Sequence, residues 1–116
     1  MTGPICHLAL PAAWEAAQVT GHVEATVPTE GFVHCSTPAQ LVGTIERHFD
    51  GVDELVVLVL DPGQLGADLR WEESRPGEAY PHLYRPIALD EVQRVVTWTR
   101  SAGGDVRLPA ELFELS

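Results

Sequence analysis

The chain of 116 residues contains no lysine, and all seven of its basic residues are arginines. The absence of lysine excludes Schiff-base chemistry and a P-loop, which both need that side chain. Positive charge is also scarce in total, because 17 acidic residues leave a formal net charge of -10 at pH 7. Such a field repels polyanions, so we expect no tight binding to nucleic acid.

Cysteine and long apolar runs are equally scarce. The two cysteines, Cys6 and Cys35, are too few for a multi-cysteine zinc site, and we expect both to be reduced, buried apolar residues. The longest apolar run, residues 55–60, is far shorter than the roughly 20 residues that span a bilayer. The N-terminus lacks the basic start and apolar stretch of a secretory signal, so we expect a cytoplasmic protein with no membrane partner.

What remains is the composition of one ordinary globular domain over residues 1–116. Hydrophobic residues make up 45% of the chain and charged residues 21%, which is typical of a folded protein. The run at residues 55–61 is apolar on both faces, which predicts a central strand. Apolar runs and alternating patterns predict strands at residues 5–10, 31–36, 55–61, 69–72, 80–87 and 91–99.

Two helices in the N-terminal half are marked by the residues at their ends. Pro11 and Gly21 bound the first, because proline suits the first turn of a helix and glycine a helix end. Thr37 as N-cap, Pro38 at the first position and Gln40 three residues after the cap predict the start of the second. Helices early in the chain and strands later indicate an α+β domain.

Three stretches show no clear period. Residues 22–30 are predicted to form a loop with room for a short extended piece, and residues 108–115 a short helix or coil. Residues 74–79 are polar and contain proline and glycine, which is typical of a mobile flap.

Three histidines, His7, His34 and His82, lie in apolar, strand-like segments. Histidine is the side chain that most readily gives or takes a proton near neutral pH. His34 and Ser36 are two residues apart, and alternate residues of a strand share a face, so both can point at one ligand. Three such imidazoles in a short chain predict a shared cleft. The two remaining histidines, in a loop and at a helix end, are assigned no role.

Structural explanations also remain open for these residues. His7 on its own is equally explained as a core histidine bonded to a backbone carbonyl, and His82 as a surface histidine at an irregular edge. Glu72 follows Trp71 and is either an exposed acid or a buried one beside the indole.

Two further kinds of histidine chemistry are disfavoured. Three histidines and a water molecule can hold zinc, but no His-x-His or His-x₃-His pair is present, so no metal is expected. A cysteine nucleophile paired with histidine is disfavoured because Cys6 adjoins His7 and Cys35 adjoins His34. Adjacent residues of a strand face opposite ways.

Taken together, these segments resemble a known family. The pattern is similar to that of the DUF952 family over about residues 5–97, and its Gly-Phe-Val-His-Cys-Ser element is the most specific part. The family is grouped with the ADP-ribosyltransferase-like fold, so the resemblance implies a compact, split β core that holds NAD in a cleft. The matching motifs are His7, Trp14-x-x-Ala17, Gly31-Phe32-Val33-His34-Cys35-Ser36-Thr37-x-x-Gln40, Leu58-x-Leu60-Asp61, Trp71-Glu72 and Pro81-His82-Leu83-Tyr84.

The resemblance also implies roles for particular residues. His7 matches a first-strand residue that bonds the ribose next to nicotinamide, and His34 with Ser36 matches the nicotinamide pocket. His82 falls where the transferases place a glutamate, which is a departure from their pattern, and Glu72 is the candidate replacement. The residues so implied are His7, His82 and Glu72 for catalysis, and His7, His34, Ser36, Thr37 and Trp71 for binding NAD as substrate.

Four hypotheses about function follow. The first is an enzyme that binds NAD or a related nucleotide and transfers or hydrolyses ADP-ribose, with the acceptor unidentified. The alternative is a non-catalytic module that binds a small molecule or a protein on the same fold. RNA 2′-phosphotransfer ranks third, because an acidic chain offers a poor track for RNA. A zinc hydrolase ranks fourth.

Overall fold

The computed structural model describes residues 3–115 and contains, within that range, eight strands and five α-helices. None of the helices in this range is long and apolar enough to cross a membrane. The strands are β1 (Ile5–Ala9), β2 (His22–Val23), β3 (Val33–His34), β4 (Glu54–Leu60), β5 (Leu69–Arg75), β6 (Glu78–Leu83), β7 (Ile87–Ala88) and β8 (Val92–Thr99). The helices are α1 (Pro11–Thr20), α2 (Val27–Glu30), α3 (Leu41–His48), α4 (Pro62–Leu65) and α5 (Ala110–Phe113).

The central sheet is antiparallel, with the strands in the order β1-β4-β8. Every residue of β4 after Glu54 is buried, since both faces of the strand carry only valine and leucine. The prediction of a central strand at residues 55–61 is therefore confirmed.

Two hydrophobic clusters cover the two faces of this sheet. On one face, Leu58 packs with Val33 and Leu83 of the neighbouring sheet and with Ala17 of α1. On the other face, Trp98 packs with residues of α3 and α5. His7 lies opposite Leu58 in the strand register, which places its side chain on the first face, towards the neighbouring sheet.

That neighbouring sheet has the strand order β3-β6-β5, and β2 pairs separately with β7. All of these ladders are antiparallel. An isolated bridge between Cys6 and Ser36 links β1 to the segment that follows β3. The arrangement confirms a compact α+β protein with α1 and α3 in its N-terminal half.

The predicted end of α1 at Gly21 is confirmed, whereas the start predicted at Thr37 and Pro38 belongs to a 3₁₀ turn and α3 itself begins at Leu41. Gly21 ends α1 with a φ of +87°, a conformation that costs glycine little, and its N–H donates to Ala17 at 2.8 Å. A short 3₁₀ turn, Pro38–Gln40, leads into α3. Gln40 Oε1 accepts a hydrogen bond from the backbone N–H of Thr37 at 3.0 Å, as the capping-box pattern predicts.

Replacing Gln40 with alanine is expected to lower the free energy of unfolding by about 1 kcal/mol, the usual cost of losing a helix cap. The side chain caps Thr37 and also donates to the carbonyl of Ala79 at 2.9 Å, so it fastens the start of α3 to β6. Chemical denaturation followed by circular dichroism measures the loss. Gln64→Ala, at an exposed position of α4, is the matched control and should change little. Equal losses in the two variants would contradict the assignment.

The predicted flap at residues 74–79 is wrong. Ser74 and Arg75 end β5, Glu78 begins β6, and the connection is reduced to a tight turn at Pro76-Gly77. Gly77 has a φ of +78° and donates its N–H to Glu73 at 3.1 Å, which closes the hairpin.

Three other segments differ from the sequence pattern. Residues 22–30, predicted as a loop with a short extended piece, contain the short strand β2 and, in addition, the helix α2. The strand predicted at residues 31–36 is regular only over Val33–His34. The strand predicted at residues 80–87 is divided into β6 and β7. Elements of two to four residues are too short to reveal a period in sequence.

Candidate functional site

A cavity of about 870 Å³ opens between α1, α3 and the strands that carry the three predicted histidines. Its volume lies within the range of small-molecule sites, roughly 300–1,000 Å³. All five histidines of the chain line it: His7, His22, His34, His48 and His82.

His7 is almost fully buried in β1, with 6% of its surface exposed. Its Nδ1 lies 2.7 Å from the carbonyl oxygen of His34. A carbonyl only accepts, so Nδ1 carries the hydrogen, and the neutral ring keeps a lone pair on Nε2. Burial lowers the pKa of His7, which favours this neutral form.

His34 is a half-exposed residue of β3 with a carboxylate partner. Its Nε2 hydrogen-bonds to Glu30 Oε2, four residues earlier at the end of α2. Glu30 also lines the cavity. The short helix α2 thus places the carboxylate of Glu30 next to the imidazole of His34.

His82 of β6 is the most extensively contacted of the three rings. It is 6% exposed and stacks on Phe32, with ring centroids 4.3 Å apart and an interplanar angle of 24°. Its Nδ1 lies 2.8 Å from Glu72 Oε1, and its Nε2 lies 3.3 Å from Ser74 Oγ. Both ring nitrogens are therefore occupied within the protein.

The structure brings the three predicted histidines together. His34 and His82 lie directly opposite each other in the β3–β6 register, with ring centroids 5.4 Å apart. His7 joins them through its bond to the His34 carbonyl. Strand pairing thus makes neighbours of His34 and His82, and a side-chain hydrogen bond adds His7.

The other predicted site residues divide into two groups. Ser36 lines the cavity, is buried and shares a hydrogen bond of 3.0 Å with Thr44. Three other predicted residues are not part of the cavity lining among residues 3–115, namely Thr37, Trp71 and Glu72. Thr37 is part of the helix start, and Trp71 is 42% exposed on the strand face opposite to Glu72, since adjacent strand residues alternate.

Glu72 contacts His82, a residue of the cavity lining, without lining the cavity itself. Its Oε1 accepts from the hydroxyl of Tyr84 at 2.6 Å as well as from His82. These two hydrogen bonds lower the pKa of Glu72, so the carboxylate stays charged. The hydrogen bond to Glu72 also raises the pKa of Tyr84. Glu72 is thus placed to orient His82.

Arg47 and Arg75 bring positive charge to the cavity lining, although the protein as a whole is acidic. Arg47 Nη2 donates to the hydroxyl of Tyr80 at 2.6 Å, and its guanidinium lies over that ring, 5.8 Å from the centroid. Arg75 is only loosely paired with Glu78, at 4.0 Å. The two guanidinium groups suit one anionic group of a ligand, while two carboxylates, Glu24 and Glu30, line the same cavity.

Sequence reasoning missed several lining residues. The two histidines left without a role, His22 and His48, both line the cavity. Glu30 was placed in a predicted loop, and its spacing of four from His34 gave no signal, because that spacing brings side chains together only within a helix and His34 lies in a strand. Nothing in the sequence distinguishes Arg47 from the other arginines, because its place depends on how α3 packs.

The two cysteines are structural, as predicted. Both are free and buried. Burial raises the pKa of Cys6 to about 12 and that of Cys35 as well, so neither thiol is a nucleophile at neutral pH. No cluster of three or more histidine, cysteine or acidic residues suited to a metal ion occurs within residues 3–115.

Fold and site together define a compact α+β protein whose antiparallel sheets enclose a cavity lined by histidines. The chain belongs to a family described as a protein of unknown function (DUF952), whose sequence profile matches residues 8–95. The family resemblance is thereby confirmed. No curated protein matches the chain.

Solved structures of protein CC0527 from Caulobacter crescentus, a structural genomics target, are similar to this chain. The crystal structure is 36% identical, with a TM-score of 0.86, over 95% of this chain and 98% of that one. The solution NMR structure is 36% identical, with a TM-score of 0.80, over 93% of this chain and 95% of that one. The similarity therefore extends over almost the whole length of both proteins.

Proposed function

We propose that the protein binds NAD or a related nucleotide in the histidine-lined cavity and acts on the bond between ribose and nicotinamide, as an ADP-ribosyltransferase-like enzyme. The observation that carries the proposal is the convergence of His7, His34 and His82 on one cavity of about 870 Å³. That volume suits a nucleotide, and the resemblance to the ADP-ribosyltransferase-like group suggests which one.

The neutral imidazole of His7 suits the chemistry of this bond. Breaking it releases nicotinamide and leaves positive charge on the ribose. His7 offers a lone pair on Nε2, which can accept a hydrogen bond from a ribose hydroxyl and hold the sugar in place. Glu30, hydrogen-bonded to His34 at the cavity wall, supplies negative charge that favours the cationic sugar.

The two cavity arginines suit the pyrophosphate of such a nucleotide. Arg47 is held by Tyr80, and Arg75 lies on the hairpin. Guanidinium groups bind phosphate oxygens through several hydrogen bonds at once.

Isothermal titration with NAD⁺ and with ADP-ribose tests the proposal. We expect both to bind, and Arg47→Ala to weaken binding about 10- to 100-fold, because a hydrogen bond to a charged group contributes about 1.5–3 kcal/mol. Arg94→Ala, at an exposed position of β8 outside the cavity lining, is the matched control and should leave affinity unchanged. Absence of heat with both nucleotides, from a folded protein, would overturn the proposal.

The non-catalytic module remains the second candidate, and the position of Glu72 favours it. Among the described residues, this predicted catalytic carboxylate is outside the cavity lining and is held by His82 and Tyr84. Chromatographic assay of nicotinamide separates the two readings. An enzyme should release nicotinamide at a rate that His7→Gln lowers up to about 10-fold, because one hydrogen bond to the ribose is altered, whereas a binding module should bind NAD⁺ without releasing any.

A further inference from the structure

Three polar side chains of the β5–β6 hairpin form a continuous chain of hydrogen bonds. Ser74 Oγ lies 3.3 Å from His82 Nε2, and His82 Nδ1 lies 2.8 Å from Glu72 Oε1. The order is hydroxyl, imidazole, carboxylate. A potential nucleophile, a base and a group that orients the base are therefore in contact.

The hydrogen-bond partners fix the tautomer of the imidazole. Glu72 also accepts from the hydroxyl of Tyr84, and the two hydrogen bonds lower its pKa, so it is a charged group that only accepts. Nδ1 of His82 must then carry the hydrogen. In the neutral ring, Nε2 keeps its lone pair and faces the hydroxyl of Ser74, which is the arrangement a general base requires.

Hairpin geometry explains why the three groups meet. The β5–β6 register shifts between Glu73 and Arg75, so Ser74 lies in an irregular part of β5, and its contact with His82 is given by the distance of 3.3 Å. Arg70 and Glu72 are two residues apart in the regular part of the strand and share a face. His82 lies on the paired strand β6, opposite Arg70, so it faces the same side. Stacking on Phe32 and burial fix the ring, while Ser74 is exposed at the cavity wall. The base is rigid and the hydroxyl is accessible.

We propose that Ser74 is an activated nucleophile that hydrolyses carboxylic esters, with His82 as its general base and Glu72 as a positioning residue. Ser74 Oγ adds to the ester carbonyl carbon as its proton passes to His82 Nε2. The ester C–O bond breaks, and the alcohol leaves with that proton. Water, deprotonated by His82, then attacks the acyl-serine and releases the acid, which restores the Ser74 hydroxyl.

The cavity indicates the size and polarity of the acyl group. The wall formed by α1 and β2 carries small apolar side chains, among them Ala13, Ala17 and Val23. Such a wall favours a short aliphatic chain. Arg75 follows the register shift of β5 and lines the cavity together with Ser74, where it offers positive charge for the negative charge that develops on the carbonyl oxygen.

A fluorophosphonate probe, which labels activated serines, tests the nucleophile on the full chain. Peptide mass spectrometry should find the probe on Ser74, with labelling lost in Ser74→Ala and reduced about 10²-fold or more in His82→Gln. Ser101→Ala, outside the cavity lining, is the matched control and should label as the wild type does. Lack of labelling at Ser74 in the folded wild type, or an equal rate in His82→Gln, would overturn the proposal.

NMR of the imidazole nitrogens tests the base without any substitution in it. Long-range ¹H–¹⁵N spectra of the wild type should show His82 protonated on Nδ1 alone, and Glu72→Ala should populate both tautomers and slow labelling. Tyr84→Phe keeps the carboxylate and should have a much smaller effect. A ring protonated on Nε2 in the wild type would contradict the assignment of the base.

The proposal is independent of NAD. Labelling of Ser74 without nucleotide binding would support it while the proposed nucleotide function fails. Nucleotide binding without labelling of Ser74 would support the proposed nucleotide function and contradict the assignment of Ser74 as a nucleophile. Hydrolysis of p-nitrophenyl acetate by the wild type, lost in Ser74→Ala, extends the test to turnover.

Discussion

Replacing Trp98 with alanine is expected to lower the free energy of unfolding by about 3–5 kcal/mol, the usual cost of deleting a large buried aromatic side chain. Trp98 is fully buried between the central sheet and the helices on its outer face. Its indole N–H donates to the carbonyl of Arg107 at 2.9 Å, and the guanidinium of Arg100 lies 5.2 Å from its ring centroid. This loss is a large fraction of the total free energy of unfolding of such a domain, which is roughly 5–15 kcal/mol.

Trp71→Ala is the matched control, because the same side chain is removed at a position that is 42% exposed. We expect a much smaller loss there, since most surface substitutions change stability by less than about 0.5 kcal/mol. Urea denaturation followed by far-ultraviolet circular dichroism compares the two variants. Similar losses would show that the interior of the central sheet is less tightly packed than the structure indicates.

The second large effect is a loss of stability on mild acidification, caused by His7. Burial lowers the pKa of His7 in the folded protein, and the charge of His34 acts in the same direction, while the bond to the His34 carbonyl opposes them. In the unfolded chain the pKa is about 6.5, so the unfolded state binds the proton first. The free energy of unfolding is therefore highest above about pH 6.5 and falls as pH decreases towards the folded pKa, by at most about 1.4 kcal/mol per pH unit.

His7→Gln removes this titration and should flatten the curve of stability against pH between about pH 5 and 7. Denaturant unfolding at several pH values measures both curves. The acidic groups with lowered pKa values, Glu72 and Glu91, lose their contribution only as pH falls below the ordinary carboxyl value of 4.5, so they act in a separate range. Parallel curves for wild type and variant above about pH 5 would exclude His7 as the cause.

The sequence was sufficient for the elements with long, unambiguous patterns. Buried β4 and the two main helices, α1 and α3, were predicted close to their observed bounds, because continuous apolar residues and cap residues act locally. The four-residue helix α2 was not predicted, since one turn shows no period. The hairpin turn at Pro76-Gly77 was read as a longer loop, because pairing between strands is not visible in composition.

The same distinction applies to the site. The convergence of His7, His34 and His82 could be predicted, because all three lie in strand-like apolar segments. The carboxylate partners of His34 and His82 could not, whereas a backbone carbonyl as the partner of His7 was one of the explanations that the sequence left open. Glu30 reaches His34 only through α2, and Glu72 reaches His82 only through the register of β5 against β6. Register depends on the whole hairpin, so a contact across strands is not encoded at either residue alone.

The segment that follows β3 connects two sheets, and this connection bears on how a ligand enters the cavity. Backbone bonds of 2.7 and 2.8 Å join Cys6 and Ser36, and one of 3.0 Å joins Cys35 to Pro81, so this short segment bridges the central sheet and β6. The sheets cannot part without breaking these bonds. A ligand must therefore enter through the opening that the cavity already has. We expect the observed rate constant for binding to increase linearly with ligand concentration, without the plateau that an opening step of the protein would set.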